Sequence, residues 1–91
     1  MIWYVYRGIN NTQEEIYYGV STDPDRRVNG SHCAGATKTL VLWQCSTDDI
    51  EWSIVAERKT QRGASRIAHA MERKRCPVGY GGYFIYKTAG V

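Results

Sequence analysis

The stretch from Arg58 to Arg75 carries the most distinctive charge pattern in the sequence. Its eighteen residues include seven Lys or Arg side chains and one acid, Glu72, so its local charge is +6. On a helical wheel at about 100° per residue, four basic or titratable positions fall on one side: Arg62, Arg66, His69 and Arg73. Such a stripe can follow the phosphate backbone of a nucleic acid, although a solvated helix face has the same appearance.

Glu72 lies at the edge of the apolar stripe of the same predicted helix. A carboxylate that is partly shielded from water needs a cationic partner. The sequence leaves two partners open, an arginine or a metal ion, and the local pattern favours the salt bridge.

Cysteine chemistry is the second possibility that the residue types raise. Cys33, Cys45 and Cys76 are widely spaced and odd in number, and His32 could join them around zinc. Structural zinc sites normally use two tight ligand pairs, which are missing from this sequence. We therefore predict three free, partly buried thiols, and from them a cytoplasmic protein.

Length and composition bound the possible folds. The 91 residues are 43% hydrophobic, 12% aromatic and 23% charged, which predicts one small globular domain over residues 1–91. The net charge of +3 is too small to indicate nucleic acid by itself. No apolar run approaches the ~20 residues that span a bilayer, and the N-terminus lacks the features of a signal peptide, so no membrane partner is expected.

The first elements that must position these residues form a predicted hairpin. Two β-prone runs, 2–7 and 16–20, flank turn-forming residues at 8–12. Because side chains alternate along a strand, Tyr6 and its neighbour Tyr4 share one face, whereas Val5 points to the other.

A helix, a strand and a second helix follow. Asp23 and Pro24 predict a short first helix that stops at residues 29–31, and residues 50–56 predict the third strand. A helix over roughly 63–75 has an apolar stripe of Ala64, Ile67, Ala68 and Met71. Residues 79–86 form a loop followed by a short strand or a packed tail. The order β-β-α-β-α indicates an α+β domain with an antiparallel sheet covered by helices.

Two tyrosine triplets in the hairpin resemble the signature of the GIY-YIG nuclease superfamily. Tyr4-Val5-Tyr6 is followed, after ten residues, by Tyr17-Tyr18-Gly19. Asp23-Pro24-Asp25-Arg26-Arg27 resembles the family's helix start and active-site arginine, and Gly35-Ala36-Thr37-Lys38 resembles a loop of its short stand-alone members. Glu72 takes the place of the metal-binding glutamate. The predicted element order is also that of the family's core.

The resemblance covers about residues 3–76, with three departures. The first triplet begins with Tyr4 rather than glycine. His32 follows Arg27 by five residues rather than the four common in the family. No asparagine follows the late helix.

The resemblance implies a division of roles. Glu72 would hold one Mg²⁺ or Mn²⁺, Arg27 would bind the scissile phosphate, and Tyr6 or Tyr17 would position or deprotonate the attacking water. His32 and Lys38 are secondary candidates for proton transfer or phosphate contact, and the basic stripe would contact nucleic acid.

Three functions remain open at this point. The first is a metal-dependent endonuclease acting on DNA or branched nucleic acid, whose specificity could come from a protein partner or a homo-oligomer. The second is a catalytically inactive nucleic-acid-binding module on the same fold. The third is an interaction domain that uses the aromatic segment Tyr80–Tyr86.

Overall fold

The computed structural model describes residues 1–33, 40 and 43–87. The loop that carries Lys38 lies outside these residues, so its predicted phosphate contact stays a prediction. In the described part of the chain, no helix has the length and apolar content needed to cross a bilayer.

Four strands form one mixed sheet. They are β1 (Trp3–Asn10), β2 (Glu15–Ser21), β3 (Ile50–Arg58) and β4 (Phe84–Ile85), in the order β3-β1-β2-β4. The first three are antiparallel, whereas β4 runs parallel to β2. With helices between the strands, the predicted α+β class and β-β-α-β-α order are confirmed, and the tail ends as a short edge strand.

The hairpin turn lies later than predicted. β1 continues to Asn10, and the turn covers residues 11–14, where Glu14 has a φ of 57°. Gly8, which the sequence places in the turn, is a strand residue opposite Trp52. A Cβ atom on Gly8 would lie 2.5 Å from the Trp52 ring, so this glycine provides space for a ring rather than a turn.

The first helix, α1 (Pro24–Arg27), begins as predicted but does not stop at residues 29–31. The Asp23 carboxylate accepts the Arg26 N–H and caps the helix. The chain then continues as a π-helical turn (Val28–His32), which we call the π-turn, and the Cys33 N–H donates to the Val28 carbonyl at 2.8 Å.

The second helix, α2 (Gln61–Glu72), begins two residues earlier and ends three residues earlier than predicted. Thr60 caps its N-terminus by accepting the Gly63 N–H at 3.1 Å. At the other end the N–H groups of Arg73 and Lys74 donate three residues back, which tightens the last turn. The Lys87 amino group also donates to the Glu72 carbonyl, so the tail caps α2 well before Pro77.

The two faces of the sheet have different partners. One face packs against α2 through a buried cluster: Val5, Ile9, Ile16, Tyr18, Ala64 and Ala68. The opposite face carries a second cluster of Tyr6, Tyr17, Leu40 and Trp43. The alternation predicted for the hairpin is therefore confirmed, and the two motif tyrosines lie together on the face away from the α2 core.

Candidate active site

Tyr6 and Tyr17 lie side by side on β1 and β2. Their ring centroids are 6.2 Å apart, and each tyrosine influences the ionisation of the other. Tyr6 pairs across the strands with Gly19, where a Cβ atom would lie 2.3 Å from the Tyr6 hydroxyl. Gly19 is therefore a glycine because the Tyr6 side chain crosses β2 at this point.

His32 reaches the same place from the end of the π-turn. Its Nε2 lies 2.6 Å from the Tyr6 hydroxyl, and its side chain is buried. A π-helix bonds residues five apart, whereas an α-helix bonds residues four apart. The π-turn thus accommodates the one extra residue between Arg27 and His32, and the departure in spacing does not move the histidine away from the site.

Arg27 is the solvent-exposed member of the group. It is close enough to influence the ionisation of Tyr6, Tyr17 and His32, and it can hydrogen-bond to Tyr6. It also lines an open polar cavity of about 350 Å³ with Ser21, Thr22, Asp23, Arg26 and Gly30. Its guanidinium therefore connects the buried hydroxyls to a space that can receive a phosphate.

Burial keeps Tyr6, Tyr17 and His32 neutral at neutral pH. It raises the pKa of Tyr6 well above the ordinary value, and the positive charge of Arg27 opposes but does not cancel this effect. Burial also raises the pKa of Tyr17, and the neighbouring Tyr6 hydroxyl and the charge of Arg27 oppose this effect. The pKa of His32 falls to about 4, first through burial and then through Arg27. The imidazole is therefore a neutral hydrogen-bond partner for Tyr6.

Glu72 is the last residue of α2 and is 3% exposed. Its charge adds to burial in raising the pKa of Tyr17, which places the carboxylate within electrostatic range of the tyrosine pair. Its Oε2 lies 3.8 Å from His69 Nδ1. Where the sequence favours an arginine partner, the structure places a histidine next to the carboxylate, one helical turn earlier.

A single buried carboxylate suits Mg²⁺ or Mn²⁺. Within the described residues, no group of three or more His, Cys, Asp or Glu side chains is arranged to hold a metal ion by itself. Mg²⁺ is commonly bound through one or two carboxylates while water and substrate phosphates complete its shell. Glu72, which is buried and within electrostatic range of Tyr17, fits that kind of site.

The predicted basic stripe forms an exposed surface at the end of α2. Arg66, His69 and Arg73 line one open cavity with Ala70. Arg62 is exposed one turn earlier on the helix. This surface begins next to Glu72, because His69 contacts the Glu72 carboxylate.

The prediction of three free thiols is wrong. Cys33 and Cys45 form a disulfide with Cα atoms 5.4 Å apart, and Cys76 is the free cysteine. The fold brings residues twelve apart together because both flank the tyrosine cluster, one after the π-turn and one after Trp43. The disulfide also uses two of the sulfurs that the zinc alternative requires.

Trp52 is a side chain of this site that the sequence did not single out. Its ring is stacked on His32 at an interplanar angle of 7° and a centroid distance of 5.6 Å. The available signal was a tryptophan in the third strand together with Gly8, but only the register of β1 and β3 shows that they are opposite each other.

A mixed sheet that joins paired tyrosines to an arginine, with a buried glutamate at the end of a late helix, defines a nuclease-type fold. The family model of the GIY-YIG catalytic domain matches residues 2–74. The chain therefore belongs to the GIY-YIG family, whose domains are generally endonucleases. No curated protein and no solved structure matches the chain.

Proposed function

We propose that the protein is a divalent-metal-dependent endonuclease that hydrolyses phosphodiester bonds in DNA or structured nucleic acid. The observation that carries the proposal is the convergence of four side chains from β1, β2, α1 and the π-turn, namely Tyr6, Tyr17, Arg27 and His32. In addition, Glu72 lies within electrostatic range of Tyr17.

Arg27 binds the scissile phosphate. Its planar guanidinium can donate to two phosphate oxygens at once, and its exposure leaves room for a polymer substrate. A phosphate on Arg27 also offsets the positive charge that helps to lower the pKa of His32. Substrate binding therefore makes the imidazole a better proton acceptor.

Tyr17 orients the attacking water, because it is the tyrosine that senses the Glu72 charge. As the water oxygen attacks phosphorus, the bond from phosphorus to the leaving sugar oxygen breaks, and this oxygen takes a proton from solvent. The proton of the attacking water moves to the Tyr17 oxygen. The Tyr17 proton passes to Tyr6, and the Tyr6 proton passes to His32 Nε2 in the tautomer protonated at Nδ1. The relay needs no tyrosinate in the free protein, in agreement with the raised pKa of both phenols.

Glu72 holds Mg²⁺ or Mn²⁺. When bound by Glu72, the ion would supply positive charge to the phosphate. The carboxylate itself orients the site, because α2 holds it buried at one position.

The nucleic acid follows the exposed surface of Arg62, Arg66 and Arg73, and Lys38 adds a further phosphate contact. We expect each arginine that contacts a phosphate to lower the salt slope of binding by about 1 when it is replaced by alanine. Lys59→Ala is the control, since Lys59 is exposed and basic but precedes α2. Further specificity would come from a protein partner or a second copy of the chain.

The test is cleavage of labelled duplex, single-stranded and branched DNA with Mg²⁺ or Mn²⁺. We expect EDTA to abolish cleavage and Glu72→Gln to lower kcat at least about a hundredfold. Glu57→Gln removes an exposed carboxylate and should leave the rate unchanged. Salt-dependent binding without cleavage, unchanged in Glu72→Gln, would contradict the nuclease proposal and favour the inactive binding module.

A further inference from the structure

Trp52 occupies a space that the neighbouring strand keeps clear. It is the cross-strand partner of Gly8, and its ring lies over the Gly8 Cα. Any other residue at position 8 would place a Cβ atom 2.5 Å from the indole carbon Cζ3. The glycine therefore leaves the space beside β1 that the indole occupies.

The His32 ring stacks on one face of the Trp52 indole. The two rings are almost parallel, at 7°, with centroids 5.6 Å apart. Tyr6 lies against the same indole at a centroid distance of 6.1 Å. Trp52 therefore contacts both partners of the 2.6 Å hydrogen bond between Tyr6 and His32.

Trp52 is itself held from another side. Trp43 packs against it at a centroid distance of 5.8 Å, and the Trp43 indole N–H donates to Glu15 Oε1 at 2.7 Å. The disulfide from Cys45 to Cys33 ties this segment to the residue that follows His32. The indole thus has a defined position that does not depend on substrate.

We propose that Trp52 is a positioning residue whose indole holds the His32 ring in the plane where Nε2 meets the Tyr6 hydroxyl. This inference rests on the proposed function, since the relay gives that hydrogen bond its purpose. A small tilt of the imidazole would misalign the relay without altering Arg27 or the basic surface. Loss of the stack should therefore lower kcat and leave KM unchanged.

The first experiment compares two substitutions of Trp52. Trp52→Leu keeps an apolar side chain but removes the ring face, whereas Trp52→Phe keeps a ring. We expect kcat to fall about tenfold to a hundredfold in Trp52→Leu, with KM within about twofold, and to recover in Trp52→Phe. Trp3→Ala is the control for lost stability, because Trp3 packs on the opposite face of the sheet.

A double-mutant cycle separates positioning from stability. If Trp52 acts through His32, then Trp52→Leu with His32→Ala is no slower than His32→Ala alone. Additive losses of kcat would overturn the proposal, as would an equal loss in Trp3→Ala.

A second readout does not require cleavage. In the NMR spectrum of the wild-type chain, the stack predicts nuclear Overhauser contacts between the Trp52 and His32 rings and upfield-shifted imidazole protons. The upfield shift of the imidazole protons should persist in Trp52→Phe and should vanish in Trp52→Leu. Their absence from the wild type would overturn the inference. A protein that shows the stack but cleaves no nucleic acid would instead contradict the proposed function.

Discussion

The candidate site consists of two halves that are built in different ways. The imidazole half (Tyr6, His32 and Trp52) joins β1, the π-turn and β3 through ring contacts and one short hydrogen bond. The carboxylate half (Tyr17, His69 and Glu72) joins a tyrosine of β2 to two residues of α2, the helix that packs its apolar stripe on the sheet. The first half is an arrangement of specific side chains, whereas the second follows from the placement of α2.

Because of this difference, we expect changes in the imidazole half to affect the reaction rate and changes in α2 to affect the free energy of unfolding. Ring contacts in the imidazole half are directional, so small displacements should affect the reaction first. The burial of Ala64 and Ala68 that holds α2 is non-directional, so a weakened helix should lower the free energy of unfolding while the folded fraction keeps its activity.

Arg27 influences the ionisation of tyrosines in both halves, and we expect its replacement to have the largest effect on cleavage. Arg27→Lys keeps one positive charge but loses the planar fork that can bind two phosphate oxygens. We expect kcat/KM for DNA cleavage to fall about a hundredfold to a thousandfold, or about 3–4 kcal/mol. Arg26→Lys is the matched control, and an equal loss there would show that the effect is not specific to the fork of Arg27. An unchanged rate in Arg27→Lys would show that a positive charge at this position suffices.

Removal of the disulfide tests the imidazole half. Its loop spans twelve residues, so the chain-entropy estimate for the stabilisation is about 3 kcal/mol. Cys33→Ser with Cys45→Ser should lower the free energy of unfolding in urea by that amount, whereas Cys76→Ser should have a much smaller effect. Equal stability of the double variant and the wild type would contradict the role of the cross-link.

Acid should weaken the imidazole half through His32. The folded pKa is about 4 and the ordinary value is 6.5, so the unfolded state binds more protons between these values. Stability is therefore highest above pH 6.5 and falls as the pH drops towards 4. From pH 7 to pH 5 this group should lower the free energy of unfolding by about 2 kcal/mol. His32→Gln should lose that part of the dependence in urea unfolding, and an unchanged pH profile would contradict the burial argument.

The smallest effect is expected in the carboxylate half. Thr60→Ala removes the side chain that caps α2 and should cost about 1 kcal/mol in urea unfolding. Under conditions where the protein stays folded, kcat should not change, because Glu72 remains at the end of the same helix. Gln61→Ala, at the next exposed position, controls for helix propensity. A large loss of kcat in Thr60→Ala would show that the carboxylate half is as sensitive to displacement as the imidazole half.

Much of the carboxylate half was accessible from sequence because its signals are local. The apolar spacing from Ala64 to Met71 predicts α2 and its buried side, and alternation along the first strand separates Tyr6 from Val5. Those periods arise from backbone geometry, so they need no knowledge of distant contacts. The predicted C-terminal end of α2 was less accurate, because Lys87 and the tightened last turn end the helix before Pro77.

The sequence by itself therefore determined the order of elements, the faces of the hairpin and the family resemblance. Only the tertiary structure decided that Cys33 joins Cys45, that the π-turn brings His32 to Tyr6, and that the glycine at position 8 accommodates Trp52. Each of these contacts links segments whose separation along the chain carries no periodic signal. The pairing of Gly8 with Trp52 depends in addition on the register of β1 with β3.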